Sequence, residues 1–503
     1  MKQPVPQPKP QPSGLAIFID RASKVPVFEQ ICAAVRERAR SGAMAAGASL
    51  PPTRAWAVEL GVSRSTVVSA YEQLVAEGYL SSLPGSGYTL CPVGAVELPK
   101  THPLSEPPAP ELTTPERAPG AAPGAAPGAA PGPAKAARSE PQTRPRPRPF
   151  HAGVPDMRLF PHRQWARALA RLCRSNPAGL LQGHGPFGNP ELRQAVARHV
   201  SEWRGLQATP AQIIITAGAT DALELCMRTL ARPGETIALE DPGFLPIRAH
   251  AGALGLVPQS LRNDDQGAVP GQNEARLVVL TPSHQFPLGG AMSPQRRQAF
   301  LHQAQARDSW IIEDDYDSEF RYAGRPIPAM AGFDALQRSI YIGSFSKIFS
   351  NSLRLGYLII PDSLCDQFQR SLERFGSNGS VIAQQPLADF IASGEFYRHL
   401  RRVRRIYGER RRFLTTRLAA DFATFGSFSD HQAGMQIAFH LQARFDDRKI
   451  SIAATELGLS TQALSGYCSD NRDINGLLLG FCAFSEAEMQ PALDQLHRLL
   501  SRH

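Results

Sequence analysis

The chain carries two hydrophobic rhythms, separated by a stretch that has neither. After Pro26, the residues Phe28, Ile31 and Val35 recur at helical spacing, which predicts an amphipathic helix ending near Ser41-Gly42. A second, shorter helix is predicted over 53–60 and stops at Gly61. Ser63 then offers an N-cap for a third helix, on which Val67, Tyr71 and Leu74 share one apolar face and which Gly78 ends. Tyr79-Leu80 and Tyr88-Thr89-Leu90 flank a Ser/Gly/Pro-rich turn over 81–87, the pattern of a two-stranded wing. From Phe150 onward, short apolar runs alternate with helical segments, which predicts an α/β domain. Its strands are expected at 212–215, 236–239, 277–280, 310–312 and 339–342, the last a buried parallel strand.

Between the two rhythms the apolar periodicity disappears. Residues 93–149 contain APGAAPGAAPGPAKAA and then RPRPRP, a composition that cannot bury enough surface to offset its ordering entropy. The expected organisation is a Pro/Gln-rich leader over 1–13, a first domain over 14–92, a flexible linker over 93–149 and an α/β domain over 150–503. The basic end of the linker (Arg144, Arg146, Arg148) suits non-specific contact with phosphates.

Totals change this picture little. The 503 residues suffice for two or more domains, and a formal net charge of +9 favours a polyanionic partner without saying where the charge lies. The seven cysteines are scattered, odd in number and never in C-x-x-C spacing, which argues against a disulfide framework and against zinc. No metal site is expected. No apolar run reaches the roughly 18 residues that a membrane span needs, and no apolar signal region stands at the amino terminus. The expectation is a cytoplasmic protein without membrane contact.

Three short helices followed by a wing predict a winged helix-turn-helix, whose third helix would enter a DNA major groove. Ser63, Arg64, Ser65 and Thr66 open that helix, where side chains reach base edges and backbone amides meet phosphate. Arg54 on the second helix and the wing tip Gly85-Ser86-Gly87 are the expected backbone contacts.

In the α/β domain, chemistry concentrates at residues 343–357, GSFSKIFSNSLRLGY. Lys347 follows the expected strand 339–342, and open α/β sheets place ligands at the carboxyl ends of their strands. Between Phe150 and His503 the only lysines are Lys347 and Lys449, although arginines abound there. Arginine supplies charge but cannot deprotonate and attack a carbonyl. An amine beside two hydroxyls (Ser344, Ser346) and a guanidinium (Arg354) suits an aldehyde cofactor carrying a phosphate. Gly218-Ala219-Thr220, after the strand at 212–215 and before a helical run, is a second candidate phosphate turn.

These stretches resemble known families. LPPTRAWAVELGVSRSTVVSAYEQLVAEGYL, followed by PGSGYTL, resembles the GntR-family DNA-binding domain, with Leu83 where Arg is frequent. SFSK with LRLGY resembles the pyridoxal-phosphate lysine loop of fold-type I aminotransferases, in the form found in MocR-type regulators of the GntR family. ITAGATDAL, DPGF, TPSHQFPLGGAM and WIIEDDYDSEFRY resemble further parts of that fold, with Phe244 for the usual Tyr and Leu288 for the usual Thr. The resemblance implies that Lys347 forms a Schiff base with pyridoxal 5′-phosphate and that Asp314 pairs with the pyridine nitrogen. If the register slips by one, Asp315 takes the place of Asp314. It further implies that Tyr316 bonds the phenolic oxygen and Phe244 stacks on the ring. Gly218, Ala219, Thr220, Ser344, Ser346 and Arg354 would hold the phosphate, with His284 and Gln285 near the ring. The arginine-dense helix over 395–414 resembles the long helix entering the small domain, its basic face solvated or at an interface.

One expected element is missing. Aminotransferases of this fold clamp the substrate carboxylate with an Arg near the final strand, whereas GLLLGFCAF (476–484) is apolar, leaving Arg472 upstream as the substitute. The resemblance therefore implies a PLP-dependent transcriptional regulator that senses PLP, an amine or an amino acid, more a non-enzymatic regulator than an enzyme, with a residual transaminase half-reaction left open. It would act as a homodimer, head to tail, on double-stranded operator DNA. The alternatives are a working aminotransferase with an accessory DNA-binding domain, and a DNA-binding scaffold that no longer takes the cofactor.

Overall fold

The computed structural model describes residues 17, 19–21, 26–40, 43–45, 47–76, 79–83, 87–91, 148–177, 183–271, 274–323, 327–470 and 474–503. The expected leader, the linker up to 147, Gly85 and Ser86 of the wing and Arg472 lie outside the described residues.

The amino-terminal head folds as its apolar pattern dictates. Helix α1 (Val27–Arg40), α2 (Thr53–Glu59) and α3 (Arg64–Ala76) precede an antiparallel pair, β1 (Leu80–Leu83) and β2 (Gly87–Leu90), in register Leu80↔Leu90. The spacing that marked α1 and α3 puts Ile31, Val35, Val67, Tyr71 and Leu74 into one buried cluster with Trp56 and Leu90. The Tyr71 hydroxyl reaches the Pro51 carbonyl at 2.7 Å, so the buried phenol keeps a hydrogen-bond partner. Gly61, at φ +62, reverses the chain between α2 and α3, and the Val62 amide bonds back to Ala57.

The body is built on an eight-stranded sheet. Its strands are β3 (Ile213–Thr216), β4 (Thr236–Asp241), β5 (Val257–Asp264), β6 (Gly267–Ala268), β7 (Leu277–Leu280), β8 (Trp310–Asp315), β9 (Ser339–Ser344) and β10 (Gly356–Ile359). They lie in the order β3-β10-β9-β8-β7-β4-β5-β6. Pairs β5-β4-β7-β8-β9 are parallel, whereas β10 runs antiparallel to both β9 and β3. The expected strand at 339–342 is thus parallel on one side only. Side chains alternate between faces with the period of two that a pleat imposes. Ile214, Leu239, Val279, Ile312 and Ile342 pack against helices Ala219–Leu230, Pro246–Ala253 and Cys365–Phe375. Tyr341 and Ile359 face the opposite way, toward helix Pro190–Arg204. With both faces covered, the strands read as near-continuous apolar runs, which is why the sequence located them.

A second, antiparallel sheet has the order β11-β12-β14-β13, from β11 (Gly426–Phe428), β12 (Gln436–Leu441), β13 (Gln462–Ala463) and β14 (Gly476–Gly480). Helices Glu395–Asp421, Asp447–Glu456 and Glu486–Leu500 pack with it. Arg148 and Pro149 already belong to this body, since Pro149 accepts the Ser460 amide and Arg148 bonds the Thr455 carbonyl. Phe150 then bridges to Gly480. The chain next passes beneath the lysine loop at Gly153.

Candidate cofactor site and nucleic-acid interface

On the head, the residues expected to meet DNA stand together at the start of α3. The Ser63 hydroxyl accepts the Thr66 amide at 3.1 Å and contacts the Ser65 and Thr66 hydroxyls at 2.7 and 2.8 Å. Ser63 is therefore the helix cap, and the three hydroxyls satisfy one another. Arg64 and Arg54 extend from exposed positions, and Gly87 opens β2 at φ +81. An exposed guanidinium on the first turn of a recognition helix is suited to a base edge or a phosphate.

In the body, the carboxyl ends of β3, β4, β7, β8 and β9 lie along one edge of the sheet, and every expected cofactor residue except Arg354 comes from the segments at or just beyond those ends. Lys347 follows β9. Its Nζ donates to the Gly153 carbonyl at 2.8 Å. Burial pushes the ammonium pKa down, opposed by the Asp317 and Asp314 carboxylates. A desolvated amine of this kind keeps a larger neutral, nucleophilic fraction. Gly153 has φ +67, the left-handed region that favours glycine, and a Cβ there would sit 3.0 Å from Nζ and crowd the amine.

The choice between the two adjacent aspartates is decided by their partners. Asp315 lies 2.7 Å from Nε of the fully buried Arg204 and also accepts the Tyr341 and Ser318 hydroxyls. It is committed to the interior. Asp314, one residue along the pleat, points to the other face, and its buried Oδ1 has no hydrogen-bond partner among the described residues. Burial and the neighbouring Asp315 raise its pKa to about 7. An orphaned, desolvated carboxylate oxygen in a cleft is suited to an external cation or N–H group.

Around it stand the groups expected near the ring. The Tyr316 hydroxyl is 2.9 Å from His284 Nδ1, which lies 3.0 and 3.1 Å from the two Asp317 oxygens. Burial and the Asp317 charge push the Tyr316 phenol well above its ordinary range, so it stays a donor. A side chain at Gly434 would fall 2.2 Å from His284 Cε1, so this glycine makes space for the imidazole. Phe244 retains 41 % exposure, unusual for a phenylalanine and fitting for a ring face held ready for an aromatic ligand. Gln285 instead bonds the Pro242 and Phe286 carbonyls, holding its own loop.

The phosphate candidates also converge. Gly218 precedes the twelve-residue helix Ala219–Leu230, whose first amides have no side-chain cap. Thr220 is exposed on that first turn. Gly356 of β10 comes so near that a side chain on it would lie 2.9 Å from Gly218 Cα, and the Ser346 hydroxyl stands 4.0 Å from where a Gly218 side chain would be. Ser344 accepts the Ser346 amide at 3.2 Å. Arg354 is exposed, makes no ion pair or hydrogen bond among the described residues, and holds φ +50 without being glycine. That conformation costs about 1–3 kcal/mol, the kind of strain that collects at ligand sites.

The residues therefore fit the cofactor. Pyridoxal phosphate would supply an aldehyde that condenses with amines and a ring that accepts electron density. Lys347 would hold its aldehyde carbon and Asp314 its ring nitrogen. The Gly218 turn, with Ser346 and Arg354, would hold its phosphate.

Sequence reasoning missed four contributors. Gly153, Arg204, Asp317 and Glu240 act here through contacts with residues far away in the chain, and none stood in a motif that named its partner. Two arginines of the long helix are also internal: Arg410 pairs with buried Asp156 at 2.9 Å, and Arg411 with Asp430. No arginine occurs along β14 or the following residues to Phe484.

Residues 28–90 match the family described as bacterial regulatory proteins, gntR family, and residues 153–458 match aminotransferase class I and II. Over 483 residues the chain is 34% identical to a Rhizobium meliloti protein named as the probable rhizopine catabolism regulatory protein MocR, covering 95% of each chain. This chain is a MocR-type member of the GntR family. Other MocR-like relatives include the pyridoxine biosynthesis transcriptional regulator PdxR of Corynebacterium glutamicum, 31% identical over 500 residues, 97% of this chain and 99% of that one. The body of this MocR-type protein also has the aminotransferase fold. It superposes on an archaeal alanine:glyoxylate aminotransferase with TM-score 0.66 and 23% identity, over 71% of this chain and 92% of that one. A Pyrococcus horikoshii kynurenine aminotransferase gives TM-score 0.64 and 22% identity over 70% and 90%. Among the described residues of this family member, no helix is long and apolar enough to cross a membrane.

Proposed function

We propose that this protein is a PLP-dependent, DNA-binding transcriptional regulator whose body senses PLP, an amine or an amino acid at Lys347. The observation that carries the reading is Asp314. Its buried oxygen has no partner among the described residues, stands in the electrostatic reach of the only lysine of that cleft, and belongs to a chain that begins with a GntR head. In this reading Lys347, half-buried and held at Gly153, exchanges one amine for another. His284 and Tyr316 orient the ring through Asp317, and Arg354 with the Gly218 turn anchors the phosphate. The apolar stretch through 476–484 favours regulation over turnover, because a substrate acid held without a bidentate clamp is poorly oriented. The regulator acts as a homodimer in the cytoplasm, with Arg64 reading operator DNA and the cofactor state setting how the two heads are spaced.

The test is binding of promoter-region DNA by fluorescence anisotropy, with and without PLP, for wild type, Lys347→Ala and Arg64→Ala. A PLP effect on affinity or binding stoichiometry that Lys347→Ala abolishes supports the reading. Equal DNA binding by all three proteins, in either condition, refutes it. Turnover with an amino donor and an α-keto acid, in the absence of any PLP effect on DNA, would instead favour the aminotransferase.

A further inference from the structure

Two carboxyls, buried Glu240 and half-buried Asp314, line one small cavity of the cofactor cleft. This cavity of about 30 Å³, room for one water, has an otherwise largely apolar lining that includes Glu240, Arg248, Thr281 and Asp314. Glu240 lies near the end of β4 and is 8 % exposed. Its Oε2 accepts the Thr281 amide at 3.1 Å and the Thr281 hydroxyl, while Oε1 has no hydrogen-bond partner among the described residues. Asp314 Oδ1 is in the same condition. Strands β4 and β8 flank β7, so the two carboxyls stand on either side of one strand end. Two desolvated like charges lining one small cavity disfavour joint ionisation.

We infer that Glu240 is the proton-holding partner of Asp314, staying neutral so that the pair carries one negative charge and presents it at Asp314 Oδ1. This rests on the proposed reading of the Lys347 site and adds a positioning residue to it. The charge falls to Asp314 because of what faces each group. Asp314 is in electrostatic reach of the Lys347 amine, against the opposing charges of Asp315 and Asp317. Glu240 faces Thr281, the Gln285 amide and Asp314 itself, with no cation among them. The one guanidinium lining the cavity, Arg248, is bonded to the Ser260 hydroxyl at 2.6 Å. Burial pushes both carboxyls up to about 7, in keeping with one shared proton near neutrality. A neutral Glu240 would keep the cleft from carrying two adjacent negative charges before the ring arrives, and a bridging water or the carboxyl proton itself would orient Asp314.

A carboxyl whose folded pKa is raised contributes stability that is complete below its unfolded pKa and is lost as pH rises through the folded value. For Glu240 that window runs from the ordinary glutamate value of 4.5 to about 7. The experiment is thermal melting of the full-length protein free of cofactor, at intervals from about pH 5 to about pH 8, for wild type, Glu240→Gln and Asp314→Asn. Glutamine mimics the neutral acid, so the Tm of Glu240→Gln relative to wild type should rise with pH across the window. In Asp314→Asn the neighbouring charge is gone, so the remaining pH-dependent loss should be smaller than in wild type. Absorbance of the PLP-loaded proteins supplies a second readout: Glu240→Gln should keep the Lys347-dependent band and lose any spectral step near neutral pH. Tm differences that stay constant with pH in both variants would overturn the inference. So would a spectral step unchanged in Glu240→Gln. Absence of any Lys347-dependent band in wild type would fail the cofactor reading alone, since the cofactor-free melts report on the carboxyl pair without it.

Discussion

The head and the body present their polar groups in opposite ways. At the start of α3 the hydroxyls of Ser63, Ser65 and Thr66 satisfy one another, and Arg64 and Arg54 stand in water. At the carboxyl ends of β4 and β8, buried Glu240 and half-buried Asp314 each keep a buried oxygen without a hydrogen-bond partner among the described residues. The first surface is finished without its ligand, so binding there adds contacts that salt can screen. The second is incomplete, so a ligand there satisfies desolvated groups and stabilises the fold that holds them. A sensor benefits from that division. On the proposed reading, the region that changes state is the one whose isolated form leaves polar groups unpaired.

Perturbing the body should therefore cost more than perturbing the head. The largest expected effect comes from Arg204→Met, which leaves Asp315 and Glu313 buried without their guanidinium and should lower unfolding free energy by about 3–5 kcal/mol in denaturant titration. An unchanged midpoint would mean that this buried cluster contributes little. Next, Asp314→Asn should weaken PLP binding by about 1.5–3 kcal/mol, the value of a hydrogen bond to a charged group, while the cofactor-free protein melts no lower than wild type. A drop in both would make Asp314 structural and erase the contrast. Arg64→Ala should reduce DNA affinity by about 1–3 kcal/mol with the PLP titration unchanged, measured by anisotropy and absorbance on the same preparation. The smallest effect belongs to Arg354→Gly. Relief of its φ +50 backbone should offset glycine's extra unfolded-state entropy, leaving the cofactor-free Tm within a few degrees of wild type while the PLP affinity falls.

How far each region could be read from its residues follows from the range of its contacts. The head is local: a cap at Ser63, a Gly61 turn and one apolar face on α3 are neighbours in sequence, and they located the helices to within one or two residues. The body's strands were legible because both faces are buried. Their pairing was less so, and nothing in the apolar run at 356–359 announced that β10 would turn antiparallel between β3 and β9. The places of Lys347, Asp314, Tyr316 and the Gly218 turn along one sheet edge were legible because each stands at or just past its own strand end. Their supports were not. Gly153 meets Lys347 across 194 residues, and Arg204 meets Tyr341 across 137. A single sequence gives no sign of which distant group a buried charge will choose. The pleat could say that Asp314 and Asp315 face opposite ways, but only Arg204 shows which of them is already engaged.

On the proposed function, Lys347 takes the cofactor in a cleft prepared for it. The most direct test is the near-ultraviolet and visible absorbance of the protein during titration with PLP, on wild type and Lys347→Ala side by side. A saturable visible band at one cofactor per chain is expected in wild type and absent from the variant. A wild-type spectrum that remains the sum of protein and free PLP, or an equal band in Lys347→Ala, would contradict it.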